Sequence, residues 1–189
     1  MRKRTGLKAK LEPAYDVEAL KTIIEALIFA SEMPLTVEKL AEIIEDAERK
    51  EIREALMQLM DDYSDQARGF GIFEVAGGYH FRTKNEWRFW IRKLKKGKPA
   101  TLTPAVMETL AVVAYRQPVL KAEIDSVRGV DTGGAIKKLL ERKLIRVVGR
   151  KDVPGKPIIY GTTQRFLEVF NLKDLSELPT LRELKELQE

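Results

Sequence analysis

The ten residues ALIFASEMPL at Ala26–Leu35 return 84 positions later as LAVVAYRQPV at Leu110–Val119, with a proline at the ninth position of both. In each stretch the apolar residues recur at helical spacing, and the proline ends the pattern. Because the offset stays constant along both stretches, we interpret them as parts of a tandem duplication with copies of about 70 residues.

The elements around Ala26–Leu35 predict a small domain. Helical periodicity begins at Asp16, a predicted N-cap, a second helix follows Thr36, and a third covers 51–63. The period then changes from 3.6 to 2, and Gly77-Gly78 predicts the turn of a β-hairpin. Three helices followed by a two-stranded hairpin is the order of elements in a winged helix.

The second copy repeats this order. We predict a helix over 121–127, an N-cap at Asp131, a helix over 132–143, strands at 145–148 and 158–162, and a last helix over 163–170. The predicted fold is therefore mainly α with small β-hairpins (α+β), arranged as tandem winged-helix domains.

Charge and composition divide the chain further. The chain has 34 basic and 29 acidic residues, but residues 1–10 carry five basic residues and no acidic one, residues 11–94 have a net charge of −6, and residues 99–170 have a net charge of +5. The predicted segments are a basic flexible tail (1–15), a first winged-helix domain with a trailing helix (16–94), a linker (95–101), a second winged-helix domain (102–170) and a C-terminal extension (171–189).

The chain lacks residues that several classes of protein function need. The chain has no cysteine, and its single histidine, His80, lies on a predicted strand on the side opposite Tyr79 and is expected to face solvent. The segment 149–156 differs from a phosphate-binding loop, because five residues separate its glycines and it joins two strands. We predict no enzyme activity, no cofactor and no metal.

The cellular location follows from the same composition. The longest apolar run, Leu110–Tyr115, is far shorter than the ~20 residues that a membrane-spanning helix needs. No apolar signal region follows the basic N-terminus. We therefore expect a soluble cytoplasmic protein without a membrane partner.

DNA binding is the main alternative function, because winged helices commonly place their third helix in the major groove. The first copy opposes it, since its third helix leads into Asp61-Asp62. The second copy permits weak backbone contact through Lys137, Lys138 and Arg142. A basic face that meets solvent or an acidic protein partner explains these residues equally well.

Aromatic residues mark a further candidate interface between the copies. Trp87, Phe89 and Trp90 cannot all lie on one side of a short helix, so part of this apolar surface is expected to be exposed. Trp87, Trp90 and Ile91 are candidates for a dimer contact or for packing between the two copies.

Several uncommon strings then identify a family. Glu25–Ser31, Ala114–Val119, Arg128–Asp131 and above all VGRKDVPGKPIIYGTT at Val148–Thr163 resemble the bacterial segregation and condensation protein B family. The resemblance extends from about Asp16 to Pro179.

The resemblance implies a non-enzymatic subunit of the bacterial SMC–kleisin condensin complex, acting in chromosome condensation and segregation during cell division. It implies a nucleoid-associated homodimer that binds the kleisin, segregation and condensation protein A, and through it the SMC ATPase, with direct DNA binding weak or absent. The alternative is a winged-helix DNA-binding transcriptional regulator.

The residues themselves suggest where such partners bind. We expect the first copy to supply the dimer contact, and the second copy to supply most of the kleisin surface from residues in rigid or polar loops. The candidate kleisin-binding residues, with Tyr160 as an aromatic anchor, are Arg116, Gln117, Pro118, Arg150, Lys151, Lys156 and Tyr160.

Overall fold

The computed structural model describes residues 15–65, 67–94, 101–180 and 183. The predicted basic tail, apart from residue 15, nearly all of the predicted linker and most of the chain beyond residue 180 lie outside the described residues. The chain divides into two compact units: one extends to Glu74 and includes Gly78–Arg88, and the other consists of Val75–Gly77 and Phe89–Glu189.

Three helices open the first unit, and their N-termini are capped by side chains. Asp16 accepts a hydrogen bond from the backbone N–H of Ala19, and Thr36 accepts one from that of Lys39, which satisfies donors that the first turn leaves free. Both predicted caps are confirmed. The helices are α1 (Val17–Ala30), α2 (Val37–Ile43) and α3 (Arg49–Asp62).

A two-stranded antiparallel hairpin follows, with β1 (Phe70–Val75) and β2 (Gly78–Thr83). Its two-residue turn is Ala76-Gly77, with φ of +53° and +73°, so the prediction of Gly77-Gly78 as the turn was wrong by one residue. A turn with positive φ at both central residues matches the right-handed twist of the strands, which explains the tight connection.

The first unit has its own core, which lies between α1, α2, α3 and the hairpin. Lys21 on the rim of α1 pairs with Asp62 at the end of α3 at 2.8 Å. The core residues, all at most 9% exposed, are Leu20, Ile24, Ile28, Val37, Leu40, Ile44, Ala47, Ile52, Ala55, Leu56, Leu59 and Ile72.

A short 3₁₀ turn (Asn85–Trp87) and the helix α4 (Arg88–Leu94) come after the hairpin. The second unit continues with α5 (Pro104–Arg116), β3 (Val119–Leu120), α6 (Lys121–Arg128), α7 (Gly133–Glu141), β4 (Ile145–Arg150), β5 (Ile158–Thr162) and α8 (Gln164–Phe170).

The second unit packs around a separate core. Thr163 caps α8 by accepting a hydrogen bond from the N–H of Phe166. The core residues are Val106, Leu110, Val113, Ala114, Val119, Ile124, Ile136, Leu139, Leu144, Ile145, Tyr160 and Phe166. On α7 the buried side chains are Ile136 and Leu139, three residues apart on one face of the helix.

The sheet of the second unit has three strands in the order β3-β5-β4, all antiparallel to their neighbours. The pattern of alternation did not predict β3, because two residues are too few to show a period. β3 pairs Val119 with Tyr160, and a single bridge pairs Leu35 with Tyr79 in the first unit. Leu35 and Val119 are separated by the same 84 positions as the repeat, so both copies make the equivalent strand contact.

The fold class is therefore as predicted, mainly helical with two small antiparallel sheets. Each unit also shows the predicted succession of three helices and a hairpin. No helix of the described residues is both long enough and apolar enough to cross a membrane.

Candidate partner-binding surfaces

The turn Arg116–Pro118 at the end of α5 combines two exposed residues with one that is held in place. Arg116 and Pro118 are exposed. The Oε1 atom of Gln117 accepts hydrogen bonds from the N–H of Thr162 at 2.7 Å and from its hydroxyl at 3.0 Å, and Nε2 donates to the carbonyl of Ala114 at 3.2 Å. Gln117 therefore ties α5 to β5, and its polar groups are already used within the unit.

The loop between β4 and β5 carries the other basic candidates. Arg150, Lys151 and Lys156 are all exposed. The loop is closed by internal hydrogen bonds, from Nη1 of Arg150 to the carbonyl of Lys156 at 3.2 Å and from the N–H of Lys151 to the carbonyl of Pro157 at 2.9 Å. Three positive charges are thus presented on a loop with a fixed shape.

The two candidate segments lie at opposite ends of the sheet. Pro118 precedes Val119, which is opposite Tyr160, whereas Arg150 is opposite Ile158 at the other end of β5. The distance along β5 from Thr162, which is hydrogen-bonded to Gln117, to Ile158 is about 13 Å, because a strand rises ~3.3 Å per residue. A partner that contacts both segments must therefore run along the sheet.

Tyr160 is unsuitable as an aromatic anchor, which corrects the expectation from the sequence. Its side chain is 7% exposed and belongs to the core of the second unit. The alternation of β5 puts this side chain on the inner face, where an aromatic ring contributes more by packing than by contact with a partner.

An exposed strip on β4 was missed by the sequence analysis. Arg146, Val147 and Val148 are all exposed, with Val147 48% and Val148 45% accessible. The register slips between Val147 and Gly149, so the strand bulges at Val148 and both valines reach the surface. β4 has only one strand neighbour among the described residues, so its outer edge is available to a further strand. The signal in the sequence was the pair of adjacent valines between arginines.

A charged network fixes the start of α7. The carboxylate of Asp125 accepts from the N–H of Thr132 at 2.8 Å and from its hydroxyl at 2.6 Å, and it pairs with Lys121 at 2.6 Å. These hydrogen bonds, first that from Lys121, lower the pKa of Asp125 to about 2, and the hydrogen bond to Asp125 raises the pKa of Lys121 to about 12.

Asp131 was predicted as the N-cap of α7, and this prediction was wrong. The N-cap is Thr132, while the carboxylate of Asp131 contacts Lys121. The network therefore joins α6 to α7 through side chains, and we interpret it as structural. The exposed Lys137 and Lys138 follow on α7.

An aromatic patch marks the surface of the first unit. Phe29 is 78% and Phe70 42% exposed, and both rings contact Phe81, at 6.1 and 5.7 Å between centroids. Tyr63 packs on Phe81 at 5.0 Å and donates its hydroxyl to Glu25, which raises the pKa of Tyr63. The residues come from α1, the C-terminal end of α3 and both strands of the hairpin, so no local spacing in the sequence could predict their meeting.

The predicted interface residues around α4 are also at the surface. Trp87 is 41% and Trp90 61% exposed, and Ile91 is half-buried.

His80, expected to face solvent, is half-buried instead, and its Nδ1 has no hydrogen-bond partner among the described residues. Among all the residues that the structure describes, no group of three or more His, Cys, Asp or Glu side chains is placed to hold a metal ion.

Comparisons with known proteins give the family. A family model of the segregation and condensation complex subunit ScpB matches residues 22–181. Segregation and condensation protein B of Syntrophotalea carbinolica is 48% identical over 172 residues, which are 91% of this chain and 87% of the relative. The protein of the same name from Myxococcus xanthus is 47% identical over 90% of this chain, which spans only 51% of that longer relative.

A solved structure is similar to part of the chain. It is a dimer of an ScpB N-terminal domain complexed with an ScpA peptide, 28% identical, with a TM-score of 0.39, and the match covers 41% of this chain and 96% of that one. The family model and the two relatives span both repeats that the sequence revealed, and the chain accordingly belongs to the segregation and condensation complex subunit ScpB family.

Proposed function

We propose that the chain is a non-enzymatic, cytoplasmic subunit of the bacterial SMC–kleisin condensin complex, which binds the kleisin and acts as a homodimer in chromosome condensation and segregation. The observation that carries this proposal is the family match over 22–181, which includes nearly all of both units. The winged-helix interpretation of 16–94 and 102–170 belongs to the same proposal and is supported by the element order of each unit.

The kleisin surface that the structure favours runs along β4 and into the loop that follows it. Exposed arginines at 146 and 150 flank the exposed Val147 and Val148, and Lys151 continues the basic row. Basic side chains around an apolar strip suit an acidic segment with apolar anchors, and an open strand edge can pair with an extended chain. Gln117 and Tyr160 are left out of this surface because their groups serve the unit itself.

Calorimetry with a kleisin fragment tests this surface. Arg146→Glu and Arg150→Glu are expected to weaken binding by tenfold or more, because each places a negative charge against an acidic partner. Lys50→Glu is the matched control, since Lys50 is 82% exposed on α3 in the other unit. If both β4 variants bind as tightly as the wild type while the control is also unchanged, the surface lies elsewhere.

The homodimer contact is proposed on the first unit, at the aromatic patch of Phe29, Phe70 and Phe81. A twofold contact places the same surface on both copies, so a patch of uncharged rings avoids repulsion between like charges. The prediction that Trp87, Trp90 and Ile91 form a dimer or interdomain contact stays a prediction.

Light scattering checks the dimer and its location together. A mass near twice 21.6 kDa is expected for the wild type, and a mass near 21.6 kDa for Phe29→Glu. Met57→Glu is the control, because Met57 is 71% exposed on α3 of the same unit and lies outside the patch. A wild-type mass near 21.6 kDa at micromolar concentration contradicts the dimer, and a dimeric Phe29→Glu contradicts its location.

The alternative of a DNA-binding transcriptional regulator is not favoured by the family match. It predicts tight binding to a specific duplex through Lys137 and Lys138 on α7. A gel-shift titration with duplex DNA separates the two functions, since a kleisin-binding subunit should show no sequence preference.

A further inference from the structure

The segment from Trp87 to Leu94 exposes more large apolar side chains than its length explains. Trp87 is 41%, Phe89 57%, Trp90 61% and Leu94 81% exposed. None of the residues of α4 is buried. Exposed apolar side chains this close together are typical of a binding surface.

The charge of the segment has one sign. Between Trp87 and Pro99 the sequence holds six basic residues and no acidic one. Three of them, Arg88, Arg92 and Lys93, lie on α4, and the other three lie outside the described residues. Such density of positive charge on an exposed helix attracts a polyanion.

The cations and the rings are side by side. The Nζ atom of Lys93 lies 4.4 Å from the centroid of the Phe89 ring and 5.1 Å from that of Trp90, and the two rings meet edge to face at 5.4 Å. Arg88 and Arg92, four residues apart, follow one another on the helix face next to Phe89. An occupant therefore meets aromatic faces and positive charges within one small area.

The combination of aromatic rings and positive charges favours some candidate ligands of α4 over others. A second copy bound across a twofold axis would bring Arg88, Arg92 and Lys93 against the same three residues, which is repulsive. A membrane surface would find an apolar stripe of Trp87, Trp90, Ile91 and Leu94, about two helical turns, which is short for an interfacial helix. A duplex offers phosphates, but its bases are stacked on one another and cannot stack on exposed rings.

We infer that α4 binds single-stranded nucleic acid, with Arg88, Arg92 and Lys93 on the phosphates and unpaired bases stacked on Trp90 and Phe89. Aromatic platforms beside basic side chains bind single strands without sequence preference and with strong salt dependence. This contact is separate from the proposed kleisin surface and does not depend on it.

Binding at α4 can be measured by intrinsic tryptophan fluorescence, because Trp87 and Trp90 are the only tryptophans in the sequence. The full chain is titrated with a thymine oligonucleotide of about 16 nucleotides at low salt, and saturable quenching is expected. Trp90→Ala should weaken binding roughly tenfold, measured by anisotropy of a labelled oligonucleotide, whereas Trp90→Phe should keep most of it. Arg92→Gln with Lys93→Gln should lower the slope of log K against log salt by about 1.4.

The controls decide between occupants. Lys50→Gln removes an exposed positive charge from α3 and should leave binding unchanged, and thermal unfolding verifies that every variant folds. The inference is overturned if the oligonucleotide does not bind at low salt, or if a duplex of equal length binds as tightly and is insensitive to Trp90→Ala. It is also overturned if Trp90→Ala turns a dimer into a monomer without weakening oligonucleotide binding, or if vesicles of anionic lipid bind at α4 while the oligonucleotide does not.

Discussion

Replacing Gln117 separates a structural role from a binding role at the turn after α5. Its side chain makes three hydrogen bonds within the second unit, two accepted from Thr162 and one donated to Ala114. In Gln117→Ala the N–H of Thr162 loses its side-chain partner in a half-buried position. We expect the second unit to unfold more easily, with little direct effect on a bound kleisin.

The loss of stability in Gln117→Ala depends on how many of the lost hydrogen bonds water can replace. Each hydrogen bond contributes about 1 kcal/mol net, and a buried N–H left without a partner costs about 1–3 kcal/mol. Because the site is half-buried, water can reach part of it, so about 2 kcal/mol is expected. At roughly 4–8 °C per kcal/mol for a unit of this size, the midpoint of thermal unfolding should fall by about 10 °C.

Two further variants and one binding assay make the test strict. Gln117→Glu keeps an acceptor for Thr162 but replaces the donor to Ala114 by a carboxylate oxygen that faces the carbonyl of Ala114, so this variant should also destabilise the second unit. Arg116→Ala removes an exposed neighbour and should change stability by less than ~0.5 kcal/mol. If Gln117→Ala unfolds like the wild type while its affinity for a kleisin fragment falls tenfold, the structural reasoning is refuted and Gln117 is a contact residue.

The other predictions concern one close strand contact and one charged network. Gly78→Ala should destabilise the first unit by about 1–3 kcal/mol, because a Cβ there would lie 2.9 Å from the carbonyl carbon and oxygen of Leu35, whereas Gly149→Ala, with nothing within 4 Å, should cost less in the same chemical denaturation. The pKa of Asp125 is lowered from 3.8 to about 2, so its contribution to stability is present above pH 3.8 and is lost as the pH falls through about 2. The difference in unfolding midpoint between the wild type and Asp125→Asn should therefore shrink over that range, and a constant difference would contradict the network.

Local patterns predicted the elements whose signals lie within a few residues. The caps at Asp16 and Thr36 were found because the cap and the first apolar position are adjacent in sequence. Asp131 was wrongly chosen for the same reason: it precedes α7 as a cap should, but Lys121, ten positions earlier, attracts its carboxylate. A contact at that separation leaves no periodic trace in the sequence.

In the candidate site, too, the sequence predicted what depends on neighbouring residues and did not predict what depends on distant contacts. Exposure of Arg150 and Lys151 was predictable, because polar residues in a loop need no partner from the core. The roles of Gln117 and Tyr160 depended on β3, a strand of two residues that brings Val119 opposite Tyr160 and places Gln117 beside the end of β5. Without that strand, an amide in a turn and an aromatic ring near a loop resemble binding residues.

The equivalent strand contact is more extensive in the second copy than in the first. In the first copy the contact is a single bridge between Leu35 and Tyr79, tight enough that Gly78 has no room for a side chain. In the second copy the equivalent contact is a paired strand, so the sheet gains a third member on one side and β4 remains at the opposite edge. The first unit also carries the patch of Phe29, Phe70 and Phe81, whereas β4 of the second unit is an edge strand with exposed arginines. Two surfaces so different in chemistry suit two different partners, which is why the dimer contact is proposed on the first unit and the kleisin on the second.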